Sequence, residues 1–437
     1  MGSQEHTRFG APMRQHFQFA PSYRPLNHGS FGTYPLPVLD QLKQFQLDAE
    51  QRPDPFIRYT YPRLLNEARQ AVAEILHVPE GEVVFVPNAT TAINTVLRAL
   101  VYKKGDVILH FATVYGAVEK TIRYIAETTE AEGLKIEAKY PIGDDELVRM
   151  FEETVEKVNK DRKVKLAVFD TISSMPGVRM PFERLTEVCK ERGVLSMLDG
   201  AHGVGHIPLD LGALGSDFFT SNCHKWLFVP RGCAVFHVPE RHQHLIRSSM
   251  PTSHGFEPYP LPGEQKISNP LPPSGNSAFV NMFQFVGTID NSPYLCVPRA
   301  IEFRKEVCGG EAKIMQYCQE IAREAGKRAA EILGTEVMDN AEGTLTRCAL
   351  VNVRLPVQIG TGDNEVHEKD VHVAGQWICR TMVDDFDTFM AVYFYGGCLW
   401  VRFSGQIYLE VEDIVWGAQL LKELCQRVAK GEYIQAK

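Results

Sequence analysis

The apolar positions along the chain follow two regimes. Up to about residue 60 the sequence is rich in Pro, Gly and aromatics, among them Pro21, Pro25, Gly29, Gly32, Pro35, Pro37, Pro53 and Pro55. Such a stretch predicts an irregular segment wrapped over a folded body, interrupted by a helix over 36–51. From Gly81 onward, short apolar runs alternate with longer amphipathic ones. The runs 82–86, 106–111, 134–140, 164–169, 194–198, 217–221 and 234–238 predict strands. The intervening 89–100, 115–128, 145–159 and 181–192 predict helices, with Asn88 suited to an N-cap and Pro181 to a first helical position.

Strands alternating with helices at this spacing predict βαβ units and a mostly parallel sheet. Runs without polar alternation suit strands buried on both faces. An open sheet of this kind binds its ligand at the carboxyl ends of its strands. Asp170 and Asp199 close two of those runs. Beyond a Pro-rich stretch, 259–277, helices over 298–307, 311–333, 371–385 and 413–429 and strands over 348–354, 389–394 and 399–403 predict a smaller α+β lobe. The expected organisation is a wrapping segment, 1–60, belonging with the smaller lobe, a large α/β domain, 61–295, and a small α+β domain, 296–437.

Composition narrows the function. The 437 residues carry 46 basic and 54 acidic side chains, a net charge of −8. That excludes a binder held to nucleic acid by a basic surface, while allowing a local cationic pocket for a small anion. No apolar run approaches the ~18 residues of a membrane span, and residues 1–20 lack an apolar signal core. Ten cysteines are scattered without CxxC or zinc-finger spacing, which predicts reduced thiols and a cytoplasmic location. His242-x-His244 lacks a third ligand nearby, so no metal is expected. Phosphate-loop and dinucleotide-binding glycine motifs are also lacking.

The segments Asp199-Gly200-Ala201-His202 and Ser221-Asn222-Cys223-His224-Lys225-Trp226 carry the most chemistry. A lysine among His224, Trp226, Leu227 and Phe228 is either snorkelling from a strand end or a desolvated amine of lowered pKa, as Schiff-base chemistry requires. Asp199 lies 26 residues earlier at a predicted strand end. A carboxylate there caps a helix, or it holds a pyridine nitrogen protonated and so makes pyridoxal phosphate an electron sink. The turn Asn88-Ala89-Thr90-Thr91 opens a helix whose free N–H groups suit a phosphate or are simply capped.

With these residues the chain resembles the class V aminotransferase family of pyridoxal-phosphate enzymes, fold type I. Leu26-Asn27-His28-Gly29-Ser30-Phe31-Gly32 and Asn222 to Phe228 look like its isopenicillin-epimerase-like branch, which includes the hercynylcysteine sulfoxide lyases of ergothioneine biosynthesis. The resemblance implies Lys225 as the Schiff-base lysine and Asp199 as the partner of the ring nitrogen. It implies His202 as donor to the phenolic oxygen, and Ala89, Thr90, Thr91, Ser221 and His224 at the phosphate. Gly287-Thr288 resembles the loop that reaches the phosphate of the neighbouring subunit, implying a homodimer with shared sites. Tyr115 falls where the family stacks an aromatic ring on the cofactor, and a phenol there could also pass a proton to a leaving sulfur. Arg402 matches the arginine that binds the α-carboxylate of an amino-acid substrate. Asn27, His28, Arg58 and Tyr59 are candidates for the substrate mouth, although Arg58-Tyr59 reads equally as an exposed loop pair.

The implied activity is a lyase that breaks a C–S bond in a cysteine S-conjugate or its sulfoxide. Cysteine desulfurase, epimerase and aminotransferase readings share the same machinery. A catalytically silent assembly partner is a further reading, opposed by the intact Lys225, Asp199 and Arg402.

Overall fold

The apolar runs between Val83 and His237 pair into one seven-stranded sheet. This is a computed structural model, and it describes residues 6–435 except 249, 257, 260, 264–271, 273 and 363. The strands are β1 (Val83–Val86), β2 (Asp106–Phe111), β3 (Glu132–Ile136), β4 (Lys163–Asp170), β5 (Leu195–Asp199), β6 (Phe218–Ser221) and β7 (Ala234–His237), in spatial order β1-β7-β6-β5-β4-β2-β3. Only β7 runs antiparallel to its neighbours. Every residue of β1, β2, β6 and β7 is buried, because helices or other chain cover both faces. Strand β3 stops at Ile136, four residues short of the expected end. It is an edge strand whose register with β2 finishes at Phe111↔Ile136, and further on the Tyr140 N–H is given to the Tyr395 hydroxyl at 2.8 Å instead of to a strand.

The longest helix absent from the sequence reading lies ahead of the sheet. Tyr61–Leu76 is a 16-residue helix burying Tyr61, Leu65, Ala68, Val72, Ala73 and Leu76. Arg69 interrupts that stripe. Its guanidinium is buried against the carbonyls of Val83 at 2.7 Å and Glu80 at 2.6 Å and the Asn66 side chain at 2.7 Å. A charged residue in the apolar stripe obscures the helical period, and its full set of acceptors makes the burial tolerable.

A second, antiparallel sheet holds β8 (Leu350–Arg354), β9 (Ala391–Tyr395) and β10 (Cys398–Ser404), in order β8-β10-β9. Gly396 and Gly397 join β9 to β10 with φ of 58° and 80°, the pair of positive values a tight two-residue hairpin needs. Helices Glu311–Leu333 and Val411–Ala429 lie against each other, and the first covers β8. The N-terminal segment threads between β10 and the Lys225 turn, with Ser404 N–H donating to the Leu26 carbonyl and Gly29 N–H to Ser404 Oγ at 3.1 Å. The Pro-rich stretch 259–277 lies largely outside the described residues. Among the described residues no helix is long and apolar enough to cross a membrane.

Candidate active site

Two carboxylates stand side by side at the carboxyl ends of β4 and β5, where Asp170 and Asp199 are register partners. Asp199 Oδ1 accepts the Ala201 N–H at 2.9 Å. Burial raises the Asp199 carboxyl, while the Ala201 N–H and the Lys225 charge pull it back. Asp170 is pushed well up by burial and by Asp199, and its Oδ2 is buried without a hydrogen-bond partner. The pair therefore tends to hold one proton, as close carboxylates do. A cationic ring nitrogen would supply the counter-charge that keeps Asp199 ionised.

Lys225 sits in a single helical turn, Cys223–Trp226, held from several directions. Asn222 Oδ1 accepts the Ala89 N–H at 2.9 Å and ties the turn to the start of helix Ala89–Ala99. His28 bonds the Lys225 carbonyl through Nε2 and the Tyr408 hydroxyl through Nδ1 at 2.8 Å. Arg304, fully buried, donates to the carbonyls of Trp226 at 2.8 Å and Gly205 at 3.0 Å while paired with Glu311 at 2.6 Å. Gly32, at φ +63°, lets the N-terminal segment touch this turn; a Cβ there would meet the His224 carbonyl oxygen. Phe228 just beyond has φ +65°, costly for an aromatic residue, with its ring under the Arg304 guanidinium at 4.8 Å. The Lys225 amine lies 3.0 Å from His202 Nε2. Burial and the Arg402 charge lower its pKa to about 8, against the opposing pull of Asp199 and Asp170.

The residues expected at a phosphate are partly committed. Ala89 N–H is already taken by Asn222, and Thr91 gives both its N–H and its hydroxyl to Asn88 Oδ1, at 2.9 and 3.1 Å. Thr90 makes no side-chain bond among the described residues, and Ser221 Oγ accepts from Val204 N–H at 2.8 Å with its own proton left to give. His224 Nδ1 lies 3.0 Å from the Cys233 carbonyl and must donate to it. When neutral, its Nε2 accepts; burial lowers its pKa to about 4. Only a strongly anionic ligand would give it the second proton needed to act as a donor there.

Arg402 comes from the middle of β10 and is buried. Nη1 donates to the Ser174 carbonyl at 2.6 Å; Nη2 donates to Ser30 Oγ at 2.9 Å and Asn27 Oδ1 at 3.3 Å. Its Nε is buried without a partner, and burial lowers its pKa only to about 10, so it remains a cation at neutral pH. A buried guanidinium with an unused N–H and no carboxylate is a ready anion site.

Four expected residues are not drawn into this constellation by the single chain. Tyr115 stands at the start of helix Gly116–Thr128, 52% exposed, with no side-chain bond among the described residues. Arg58 lies in a π-helical turn, 56–60, rather than a loop, and pairs with Asp54 at 3.1 Å. Tyr59 and Thr288 are exposed. Conversely, the sequence reading assigned nothing to Trp226, His206 or Arg304. Trp226 had a signal, its place beside Lys225; Arg304, in a helix 79 residues further on, had none. Among the described residues no cluster of His, Cys, Asp or Glu is arranged to hold a metal.

A lysine amine of lowered pKa, a strand-end carboxylate, a buried histidine ring beside the amine and an arginine with an unused N–H together fit pyridoxal phosphate at the edge of an open α/β sheet. The chain belongs to the class V aminotransferase family: the family model "Aminotransferase class-V" matches residues 34–277. Its cofactor is pyridoxal 5′-phosphate. The L-cysteine desulfhydrase-like protein lolT2 of Epichloe uncinata is 37% identical over 97% of this chain and 95% of its own length. The hercynylcysteine sulfoxide lyase of Schizosaccharomyces pombe is 29% identical over 96% and 99%. Among solved structures, the complex of the cystine C–S lyase C-DES with cysteine persulfide superposes with a TM-score of 0.74 at 18% identity, over 93% of this chain and 98% of that one. The apo cysteine desulfurase of Thermococcus onnurineus NA1 also reaches 0.74, at 16% identity over 96% and 99%. These two show the shared fold.

Proposed function

We propose that the protein is a carbon–sulfur lyase that removes the sulfur-bearing group from the β-carbon of a cysteine S-conjugate or its sulfoxide, hercynylcysteine sulfoxide being one such substrate. The placement of the cysteines carries the choice of lyase over desulfurase. Nine of the ten are buried, and the tenth, Cys398, is fixed in the β9–β10 hairpin opposite Tyr395. It lies four residues, roughly 13 Å of strand, from Arg402. A desulfurase needs a mobile thiol to receive sulfur, and no cysteine here is so placed. The relatives named as a desulfhydrase-like protein and a sulfoxide lyase support the same reading.

Bound pyridoxal phosphate supplies an electron sink at the substrate α-carbon. Arg402 would hold the α-carboxylate through its unused N–H, with Asn27 and Ser30 fixing the guanidinium plane. Lys225, displaced by the substrate amine, would take the α-proton at Nζ; a pKa near 8 leaves a usable fraction as free base at neutral pH. Asp199 would keep the ring nitrogen protonated, and His202 would donate to the phenolic oxygen. Thr90, Ser221 and His224, with Ala89 and Thr91 shaping the turn, would hold the phosphate. The phenol of Tyr115 would lie over the cofactor and protonate the departing sulfur. The sulfur leaves as a thiol or sulfenic acid, and the three-carbon remainder hydrolyses to pyruvate and ammonia.

His28 is better read as a support of the Lys225 turn than as a substrate contact, since both ring nitrogens are committed. The exposed Arg58, Tyr59 and Thr288 fit a homodimer in which each subunit completes its neighbour's site. The test is a panel of cysteine S-conjugates and sulfoxides assayed for pyruvate and ammonia without added keto acid. Equal yields that survive Cys398→Ser are the expected result. Dependence on a keto acid would make the protein an aminotransferase; alanine formation lost with Cys398→Ser would make it a desulfurase.

A further inference from the structure

Beside Lys225 runs a relay whose direction is set by groups that only donate. Ala349 N–H meets His206 Nε2 at 2.7 Å, so that nitrogen accepts. The His206 proton is therefore on Nδ1, where it is given to the His202 carbonyl at 2.8 Å. The Trp226 indole N–H meets His202 Nδ1 at 3.1 Å, and an indole nitrogen cannot accept. Burial keeps His202 and His206 neutral, the former with a pKa well below its ordinary value and the latter at about 3. A neutral His202 that accepts at Nδ1 carries its proton on Nε2, the nitrogen 3.0 Å from the Lys225 amine.

We propose that Trp226 is a positioning residue that locks His202 in its Nε2–H tautomer, so that the ring presents a donor to the phenolic oxygen of the bound cofactor, and to Lys225 only when its amine is unprotonated. Neutral imidazole has two tautomers, and only one of them donates from Nε2. His206 reinforces the lock. Its ring stacks on the indole at 3.8 Å and 20°, while its Nδ1–H holds the His202 backbone. A carboxamide in place of His202 would keep N–H donors without any such device, because its donors do not depend on a tautomer. The inference rests on reading His202 as the donor to the phenolic oxygen.

The test uses holoenzyme labelled with ¹⁵N-histidine, in which the His202 signals are identified by their loss in His202→Gln. Long-range ¹H–¹⁵N correlation should show the His202 proton on Nε2; a proton on Nδ1 overturns the lock, and this reading needs no variant to fold. Trp226→Phe keeps the stacked ring and removes the N–H. It should mix the tautomers and raise the pH at which the bound cofactor's visible absorbance switches, because a donor to the phenolic oxygen favours the unprotonated form. The shift should be roughly half to one unit, the worth of one neutral hydrogen bond. In a His202→Gln background the same Trp226→Phe change should shift nothing further. Where His202→Ala moves the midpoint, an unchanged midpoint in the Trp226→Phe single variant, or an equal shift in both backgrounds, overturns the proposal. If the proton is on Nε2 but His202→Ala leaves the midpoint unmoved, the lock stands and the phenolic-oxygen contact fails.

Discussion

The Lys225 turn and the surface around Tyr115, Arg58, Tyr59 and Thr288 are two halves of one expected site, yet they are built in opposite ways. The turn is bound to residues far away in sequence: His28 from the N-terminal segment, Ala89 from a helix start, His202 after β5 and Arg304 from a later helix. Its polar groups are buried and nearly all are paired. The second group is exposed and, among the described residues, makes a single side-chain ion pair, Arg58 with Asp54. The contrast shows what a single subunit can complete. The reacting amine needs a desolvated, fixed environment, which only long-range packing provides. The proposed substrate mouth would have to admit a ligand, and in the proposed homodimer its exposed residues would gain their contacts from substrate or a second subunit.

Variants on the buried side should be the most damaging. Lys225→Ala removes the amine and should abolish both turnover and the borohydride-reducible link to the cofactor; a surviving link would assign the chemistry to another lysine. Asp199→Ala should come close to that loss, lowering turnover by orders of magnitude and loosening the cofactor. If turnover stays near wild type, the ring nitrogen has a different partner. Arg402→Ala should raise KM for the amino-acid substrate by about 10- to 150-fold, the worth of one charge-assisted hydrogen bond of about 1.5–3 kcal/mol. A change in kcat with KM untouched would remove Arg402 from the carboxylate.

The amine also gives a pH signature. Because burial lowers the Lys225 pKa to about 8, the apoprotein holds free amine above that pH and ammonium below it. Cofactor capture, followed by the rise of visible absorbance, should accelerate as pH rises to about 8 and then level off. An ordinary lysine would keep gaining toward about 10.4. The sign carries over to stability: the unfolded chain binds more protons between those values, so this group's contribution to apoprotein stability should rise with pH across that window.

The smallest effect belongs to the exposed side. Arg58→Ala breaks an exposed i,i+4 pair worth about 0–1 kcal/mol, so the melting temperature should barely move. A selective loss of activity, rescued by mixing with a Lys225→Ala subunit that carries an intact Arg58, would place Arg58 in the neighbour's site. Loss of stability instead would make it a local brace.

Much of the architecture was legible in the chain. Unbroken apolar runs ending in Asp170 and Asp199 marked buried parallel strands, because a strand covered on both faces has no reason to alternate. Lys225 among aromatics, 26 residues after Asp199, marked the family and suggested the chemistry proposed for it. Helix Tyr61–Leu76 stayed hidden because Arg69 sits in its apolar stripe, and two of the three acceptors that make that tolerable, the carbonyls of Glu80 and Val83, lie beyond the helix. Residue type and spacing could name the lysine and its carboxylate, since those are local properties of strand ends. They could not show that His28 and Arg304 hold the carbonyls of Lys225 and Trp226 from 197 and 78 residues away. Nor could they show which nitrogen of His202 carries a proton. That depends on where a neighbouring indole N–H points, and only the packing of Trp226 against His206 decides it.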